Sequence, residues 1–412
     1  MENNKVIIIG GGAAGLFAAI SAADNGSDVI IFEKNDRCGK KLRITGKGRC
    51  NVTNDCSTEE FLQNVPTNSR FLYSALSALS TQDVKDFFES EGVPLKTERG
   101  KRVFPVSDKA QDIVSALVSA CRNRGVEIIN EKVRSLIIED ETIKGVITEG
   151  GKYAADAVIV CTGGRSYTRT GSDGDGYVFA KSAGHTVTPL LPSLVPIVCA
   201  GKLCPSLQGL SLKNVSLSIT DKNTKKEVYS DFGEMMFTHF GVTGPMVLSA
   251  SAHIPDINTG KYEASINLKP ALDEKTLDAR ILSDFSKYSN KDLINALGDL
   301  LPQKLIPVII SLSGIDPRKK INSITREERQ SLTRVIRGLR LNLVGFRPIE
   351  EAIITKGGIS VKEIDPKTMA SKKCSGLYFA GEVIDVDAYT GGFNLQIAFS
   401  TGFLAGRSAA WQ

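Results

Sequence analysis

Residues 5–34, KVIIIGGGAAGLFAAISAADNGSDVIIFEK, restrict this chain more than any other stretch. Residues 6–9 are a β-branched run of the kind that forms a parallel strand buried on both faces. The run breaks at Gly10-Gly11-Gly12, and Gly15 follows, which satisfies G-x-G-x-x-G. Gly10 permits a sharp turn, Gly12 lets the backbone approach a pyrophosphate with no Cβ in the way, and Gly15 lets a helix sit close to the strand. Residues 13–23 then read as a small-residue helix, with Ala13 and Ala14 in the first turn, where free N–H groups and the helix dipole favour phosphate. A second strand, residues 29–32, ends at Glu33, 23 residues after Gly10. A carboxylate there accepts hydrogen bonds from ribose hydroxyls and repels a 2′-phosphate. The glycine motif alone is common, but here strand, glycines, helix, strand and acid stand at the offsets of a dinucleotide site. The stretch does not read as a secretory leader, because Glu2 offsets Lys5, glycines interrupt the apolar run and the unit continues into a strand.

Composition narrows the class. The 412 residues, 42% hydrophobic and 24% charged, suffice for two or three globular domains. No apolar run reaches the roughly 18–20 residues of a membrane span, so no membrane partner is expected. A net charge of +5 is too mild to imply nucleic acid by itself. Eight scattered cysteines without C-x-x-C point to reduced thiols and a cytoplasmic setting. Cys199 and Cys204 have C-x4-C spacing, but they lie among prolines, far in sequence from the dinucleotide unit. No Cys/His cluster has zinc spacing, so no metal is expected, and three histidines leave little material for a Ser-His-Asp triad.

Residues 34–54, rich in Gly, Lys, Arg and Asn, read as a loop that is either a solvated basic surface or a set of donors over phosphates. Lys40, Lys41, Arg43 and Arg49 are the candidates, and proximity to the glycine turn favours binding. Helices are expected over 72–91 and from Asp108 to a stop at Gly125, then a strand at 127–130 and a three-strand meander over 133–139, 143–149 and 152–154. An apolar strand at 157–160 ends in Thr162-Gly163-Gly164, another place for close backbone approach. The glycine-rich loop at 163–175 has no apolar strand immediately before Gly171, so it reads as a cover over the first ligand and not a second dinucleotide site.

Prolines at 189, 192, 196 and 205 mark a boundary. Beyond it, alternating strands at 215–219, 228–232, 235–237 and 262–268 suggest a small antiparallel barrel or sandwich. His239, in a Gly/Thr-rich loop, is either a structural histidine or an acid/base group. Residues 273–340 read as four helices. The last, 325–340, carries Arg326, Arg329, Arg337 and Arg340 as a basic stripe, either an ordinary solvated face or a grip on phosphates. A return strand is expected over 345–354. The chain closes with a strand ending at Gly381-Glu382, and with Gly391-Gly392 before a helix starting near Asn394. That helix N-terminus can stabilise negative charge on a reduced isoalloxazine, and Glu382 can accept from ribitol hydroxyls.

The first glycine unit with Glu33, the Thr162-Gly163-Gly164 strand end and GLYFAGE resemble the FAD domain of glutathione-reductase-type flavoproteins. More specifically, GKKLRITGKGRCNVTN, GGRSYTRTGSDGDGY, FGEMMFTHFGVTGP, ITKGGI and GEVIDVDAYTGGFNLQIAFSTG resemble the YhiN-like (aminoacetone-oxidase-like) flavoproteins, a family that also includes enzymes proposed to reduce bile-acid intermediates. The resemblance spans essentially the whole chain. It implies an α/β fold: a Rossmann-like FAD-binding domain of glutathione-reductase type (1–190 and 355–412), interrupted by an antiparallel β-barrel insert (191–271 and 341–354) and a small helical insert (272–340). The implied FAD contacts are Gly10, Gly12, Gly15, Glu33, Lys34, Lys41, Val133, Thr162, Gly163, Gly381, Glu382, Asn394, Leu395 and Gln396, with Ala13, Ala14, Arg49, Gly164 and Gly392 completing the lining. Members are usually described as NAD(P)/FAD-dependent, but a second dinucleotide fingerprint is missing, so NADH or NADPH is expected only as a transient donor. The stretch after Glu33 also lacks the C-x4-C of disulfide reductases.

The expected activity is an FAD-dependent oxidoreduction of a small organic substrate at the flavin face, between FAD domain and insert. Two chemistries stay open, NAD(P)H-fed reduction of an unsaturated compound and oxidation of an amine. His239 and Tyr389 are the acid/base candidates. The alternatives are an RNA-associated flavoprotein using the basic helix 326–340, although nucleic acid is not the expected partner, and a non-catalytic flavin binder.

Overall fold

The apolar run at residues 6–9 forms the middle of a five-stranded parallel sheet. Lys5–Ile9 lies between Asp28–Phe32 and Ala157–Val160, with Glu127–Ile129 and Leu377–Phe379 at the edges. The computed structural model describes residues 4–254 and 256–411; residues 1–3 and 412, the outer ends of the expected FAD-binding segments, lie outside the described residues. Ile7, Ile8, Ile31, Val158, Ile159 and Leu377 are almost wholly withdrawn from solvent. Burial on both faces is why these strands read as unbroken apolar runs and not as alternating ones. Because the strands are parallel, the loops after them, at Gly10, Glu33, Thr162 and Gly381, leave the sheet at one rim. Ligands bind at that rim in open α/β sheets.

The first helix, Ala13–Asp24, and the last, Phe393–Ala409, pack side by side against the sheet. A Cβ on Gly402 would stand 2.2 Å from the carbonyl oxygen of Ala14, and one on Gly406 would stand 2.1 Å from that of Ala18. Small residues from both chain ends therefore set a backbone-to-backbone approach. Phe17 extends the contact, its ring centroid 4.7 Å from Phe399 and 4.9 Å from Phe87. The meander forms as expected from Val133–Glu139, Thr142–Thr148 and Lys152–Ala154, and Tyr153 sets its ring edge-on to Phe32. Helix Ala110–Asn123 ends before Gly125, whose φ of +76° is the left-handed stop that the glycine supplies.

Residues 34–54 are not the plain loop that their composition suggests. They contain helix Lys40–Ile44, a 3-10 turn at Thr45–Gly48 and strand Thr53–Asn54. That strand starts a small antiparallel sheet with Arg102–Pro105 and Leu95–Glu98. Elements of two to five residues are too short to impose a period on the sequence.

Internal contacts divide the chain into two compact units. One comprises residues up to Ser193 together with those from Ile349 onward, and the other is Leu194–Pro348. In the second unit six antiparallel strands close into a barrel, in the order Ile197–Cys199, Gly241–Thr243, Glu227–Phe237, Ser211–Asp221, Tyr262–Asn267 and Leu339–Phe346. Here two expectations need correction. The helix expected over 325–340 is Arg326–Arg337, and the return strand begins at Leu339, not at residue 345. Leu332, Val335, Ile336 and Leu339 recur at helical spacing, but Leu339, Leu341 and Leu343 also alternate with Arg340, Asn342 and Val344. Barrel closure selects the second period, because Leu339–Phe346 pairs with a strand on each side. Farther on, Ile349–Glu351 is a 3-10 turn, and Ile354–Lys356 pairs with Leu191–Ser193 in the first unit.

The helical segment contains Glu274–Lys287, Ile306–Ser313 and Arg326–Arg337 with 3-10 turns between them, and it shares one apolar core with the barrel. The basic stripe expected over 326–340 is mostly paired. Arg329 forks onto Asp278 at 2.5 and 3.2 Å, Arg337 lies 3.8 Å from Glu274, and Arg340, on the barrel strand, meets Glu263 at 3.2 Å. These pairs link elements of the unit to one another.

The helix–helix approach predicts that Gly402→Val, which forces a side chain onto the Ala14 carbonyl, lowers stability by about 3 kcal/mol. Chemical denaturation followed by circular dichroism measures it, and an unchanged midpoint would contradict the packing described.

Candidate functional site

The three glycines of the first turn do different work. Gly10, at φ +105°, donates its N–H to Phe32 O at 2.8 Å, and a Cβ there would lie 2.6 Å from Cys161 O on the neighbouring strand. A Cβ on Gly15 would lie 1.9 Å from Gly10 O, so only glycine lets the helix approach the strand. Gly12 differs, since a Cβ there would meet no protein atom within 4 Å. Its side faces open space at the start of Ala13–Asp24, a helix with no capping side chain at its N-terminus. That leaves the N–H groups of the first turn and the positive end of the dipole for an anion. Ala13 and Ala14 form that turn, and Ala14 packs against Gly381 from the other end of the chain.

Glu33 is buried and pins this turn. One carboxylate oxygen accepts the Gly11 N–H at 2.9 Å, and the other accepts the Asn35 N–H at 2.8 Å and the Asn35 side-chain amide at 2.6 Å. Next to it Lys34 pairs with Asp173 at 2.6 Å and Asp175 at 2.9 Å, and Lys132 adds a contact to Asp175 at 3.0 Å. Burial pulls the Lys34 ammonium down, but the two carboxylates outweigh it and leave it above its usual value. These pairs, with the Asn35 amide donating to Thr170 O, tie the 163–175 loop to the end of strand Asp28–Phe32.

A second carboxylate organises the rim from the far side. Glu382 accepts from Lys41 Nζ at 2.5 Å, from Ser166 Oγ at 2.8 Å and from the Thr355 N–H at 2.9 Å. Three of its roughly four acceptor positions are thus occupied by the protein. Gly164 makes room for this cluster, since a Cβ there would lie 2.5 Å from Thr355 Oγ1 and 2.7 Å from Glu382 Oε1. Beside it Thr162 Oγ1 is buried without a hydrogen-bond partner, and Gly163 turns at φ +74°. Val133, which opens the meander, is buried.

The start of the last helix is reached through Gly392, at φ +100°, where a Cβ would strike Thr53 O at 2.3 Å. Its N-terminus also lacks a capping side chain. Asn394 works inward: its amide oxygen accepts the Ala388 N–H, and its NH₂ donates to Ala388 O and Tyr389 O. Leu395 is half-buried. Gln396 is wholly buried, bonded to Thr53 Oγ1, Leu79 O and Ser400 Oγ, so its side chain holds the core and does not face a ligand. Arg49 is likewise engaged, by Glu98 and Asp108 and by stacking 4.2 Å over the Phe104 ring. Lys40 bonds Asn35 and Asp36, and Arg43 bonds Gln111.

The first unit therefore gathers Gly10, Gly12, Glu33, Lys41, Thr162, Gly163, Gly381, Glu382 and Gly392 around one rim of the sheet, with Tyr389 in the segment leading to the last helix. His239 belongs to the other unit, exposed in the turn between two barrel strands and set edge-on to Phe240. Ser166, Thr355 and Asn35 were not singled out from the sequence. Ser166 and Thr355 do fall in GGRSYTRT and ITKGGI, but nothing in their spacing announces a bond to Glu382.

An FAD fits the residues present. Two uncapped helix N-termini, the open side of Gly12 and the unpartnered Thr162 hydroxyl offer donors and room of the kind that a pyrophosphate and a polar ring require. Comparison with known proteins agrees. Residues 4–408 match the model of the HI0933-like protein Rossmann domain. The 3-dehydro-bile acid delta(4,6)-reductase of Clostridium scindens is 31% identical, covering 99% of both chains. The ribosomal RNA dihydrouridine synthase of Escherichia coli is 31% identical over 98% of this chain and 97% of its own. Among solved structures, the 3-ketosteroid-delta4-(5alpha)-dehydrogenase of Rhodococcus jostii RHA1 shares the fold, with a TM-score of 0.56 at 17% identity, covering 100% of this chain and 98% of that one.

Gly12 separates ligand space from protein packing. Gly12→Val should leave the FAD-free protein as stable as before, within about 0.5 kcal/mol, because its Cβ meets no protein atom. It should weaken FAD binding more than about tenfold, read by flavin fluorescence titration. Loss of stability with unchanged affinity would reverse the assignment.

Proposed function

The chain belongs to the HI0933-like Rossmann-domain family and is an FAD-dependent oxidoreductase, and we propose that it is a reductase, fed by NADH or NADPH, that saturates a carbon–carbon double bond conjugated to a carbonyl. One observation carries this reading. Two relatives, each matched over nearly the full length of both chains at 31% identity, are named for reactions that add hydrogen across such a bond. One is named for a 3-dehydro bile acid, a conjugated ketone, and the other for dihydrouridine, in which a uracil ring double bond has been saturated. When bound, the flavin supplies the two-electron chemistry of such a reaction.

The residues of this chain account for the rest. The first-helix N-terminus and Gly12 receive the pyrophosphate, and Glu33, already fixed by the Gly11 and Asn35 N–H groups, receives a ribose hydroxyl and disfavours a phosphate there. Lys41, Ser166 and Thr355 hold Glu382 at the polar chain of the cofactor. The uncapped N-terminus of the last helix would favour negative charge on a bound flavin ring. Paired arginines on Arg326–Arg337 weigh against that helix as an RNA grip, so a small conjugated carbonyl compound is preferred over RNA as substrate.

Anaerobic stopped-flow absorbance tests the reading in two stages. NADH or NADPH should bleach the flavin band, and the reduced protein should then regain colour with a 3-oxo-4-ene steroid or another conjugated ketone. Recovery with a uridine-containing RNA instead would retain the reaction and reassign the substrate. Bleaching by amines, with both nicotinamides inert, would overturn the proposal in favour of an amine oxidase.

A further inference from the structure

The segment at 384–389 connects Gly381 and Glu382 to the start of the last helix, and it is held along its length. The Asp385 N–H donates to Ile359 O at 3.0 Å, Asn68 donates to Asp385 O at 2.7 Å, and the Tyr389 N–H donates to Asn64 O at 3.0 Å. Asn394 clamps the Ala388 backbone from the helix side. In the middle of this fixed segment Asp387 is 1% exposed, and neither of its carboxyl oxygens has a hydrogen-bond partner. The hydroxyls of Thr67 and Ser193 stand beside it without reaching hydrogen-bond geometry, and Ser193 Oγ is itself buried and unpartnered.

A carboxylate in such a place is strongly disfavoured, and a group so placed takes up a proton instead. Burial pushes the Asp387 carboxyl up, against smaller pulls from Thr67, Lys356 and Ser193. The charged and titratable groups facing it are few. Lys356 comes from strand Ile354–Lys356, Asp385 from the same segment and pushed up chiefly by its own burial, and Tyr389 two residues on. The Tyr389 phenol is pushed up by burial first and then by the Asp387 charge, which places the two side chains within electrostatic reach. Tyr389 in turn lies three residues before Gly392, at the entry to the last helix.

We propose that Asp387 stores the proton that the reductase adds to its substrate and that Tyr389 passes it on. The inference rests on the reductase reading above. Saturating the double bond places a hydride, with its electron pair, on one carbon and a proton on the other. The reduced nicotinamide is the source of the hydride, and a bound flavin would supply the chemistry of its transfer. The proton leaves the Tyr389 hydroxyl, whose O–H bond breaks as the new C–H bond forms; the Asp387 carboxyl, within electrostatic reach of the phenol but not bonded to it in the resting fold, closes on the phenolate as that charge develops and gives it the carboxyl proton. Asp387 ends as a carboxylate near Lys356 and regains its proton from solvent. Tyr389 touches the substrate and is the catalytic residue, while Asp387 acts through it.

Two measurements test this. Infrared spectroscopy of the FAD-bound protein should show the C=O stretch of a buried neutral carboxyl that is lost in Asp387→Asn; its absence at neutral pH overturns the proposal whatever the reaction proves to be. In single-turnover mixing, Asp387→Asn and Tyr389→Phe should each bleach with the nicotinamide at the wild-type rate yet regain colour with the conjugated ketone at least ~100-fold more slowly. The wild-type recovery rate should fall as pH rises and the Asp387 carboxyl ionises, and that fall should vanish in Asp387→Asn. If Asp387→Asn does not fold, a Tyr389→Phe variant that recovers at the wild-type rate suffices to overturn the relay. Wild-type protein that regains colour with no conjugated carbonyl compound overturns the reductase reading itself and the relay with it, an outcome distinct from normal recovery in the variants.

Discussion

The site depends on the approach of three backbones: the middle strand, the first helix and the last helix. Gly15 brings the first helix down onto the Gly10 carbonyl, and Gly402 and Gly406 bring the last helix onto the Ala14 and Ala18 carbonyls. With side chains in either contact, the helices would stand farther from the sheet and from each other. Their N-termini could not then meet the strand ends at one rim. Gly381, a Cβ on which would lie 2.9 Å from the Ala14 Cβ, shows how tightly the two ends of the chain converge there. Close packing of this kind has little slack, because protein interiors are as dense as organic crystals.

On that frame three acidic side chains of similar chemistry meet different surroundings. Glu33 is buried but accepts backbone N–H groups from the glycine turn. Glu382 is held by an ammonium, a hydroxyl and a backbone N–H. Asp387 is buried beside hydroxyls that do not bond it. Without hydrogen bonds to favour its charged form, the buried Asp387 carboxyl is pushed up by desolvation.

The fold alone does not choose the direction of electron flow. The fold is shared with a ketosteroid dehydrogenase at 17% identity, and architectures of this kind host many reactions. The distinction between reduction and oxidation lies in what donates to the flavin and in whether a proton waits for the substrate. In the proposed relay the waiting proton belongs to the segment between Glu382 and Gly392, a stretch whose backbone is fixed by Asn64, Asn68 and Asn394.

The sequence by itself determined the parallel sheet, the dinucleotide turn, the meander and a run of antiparallel strands beyond the prolines, while leaving barrel and sandwich open. Each is written in a local period or in glycines at fixed offsets, and those patterns survive without knowledge of distant neighbours. Tertiary structure decided the rest. Leu339–Phe346 became a strand because the barrel had to close, although its first leucine also fits a helical face. Arg49, Arg329 and Gln396 were drawn into ion pairs and core bonds by Glu98, Asp278 and Leu79, partners 49, 51 and 317 residues away in the chain. Whether a polar side chain faces a ligand or holds the protein together depends on which donors and acceptors folding brings beside it. A short motif carries no record of those neighbours, and so the unpartnered state of Asp387 could be seen only in the folded chain.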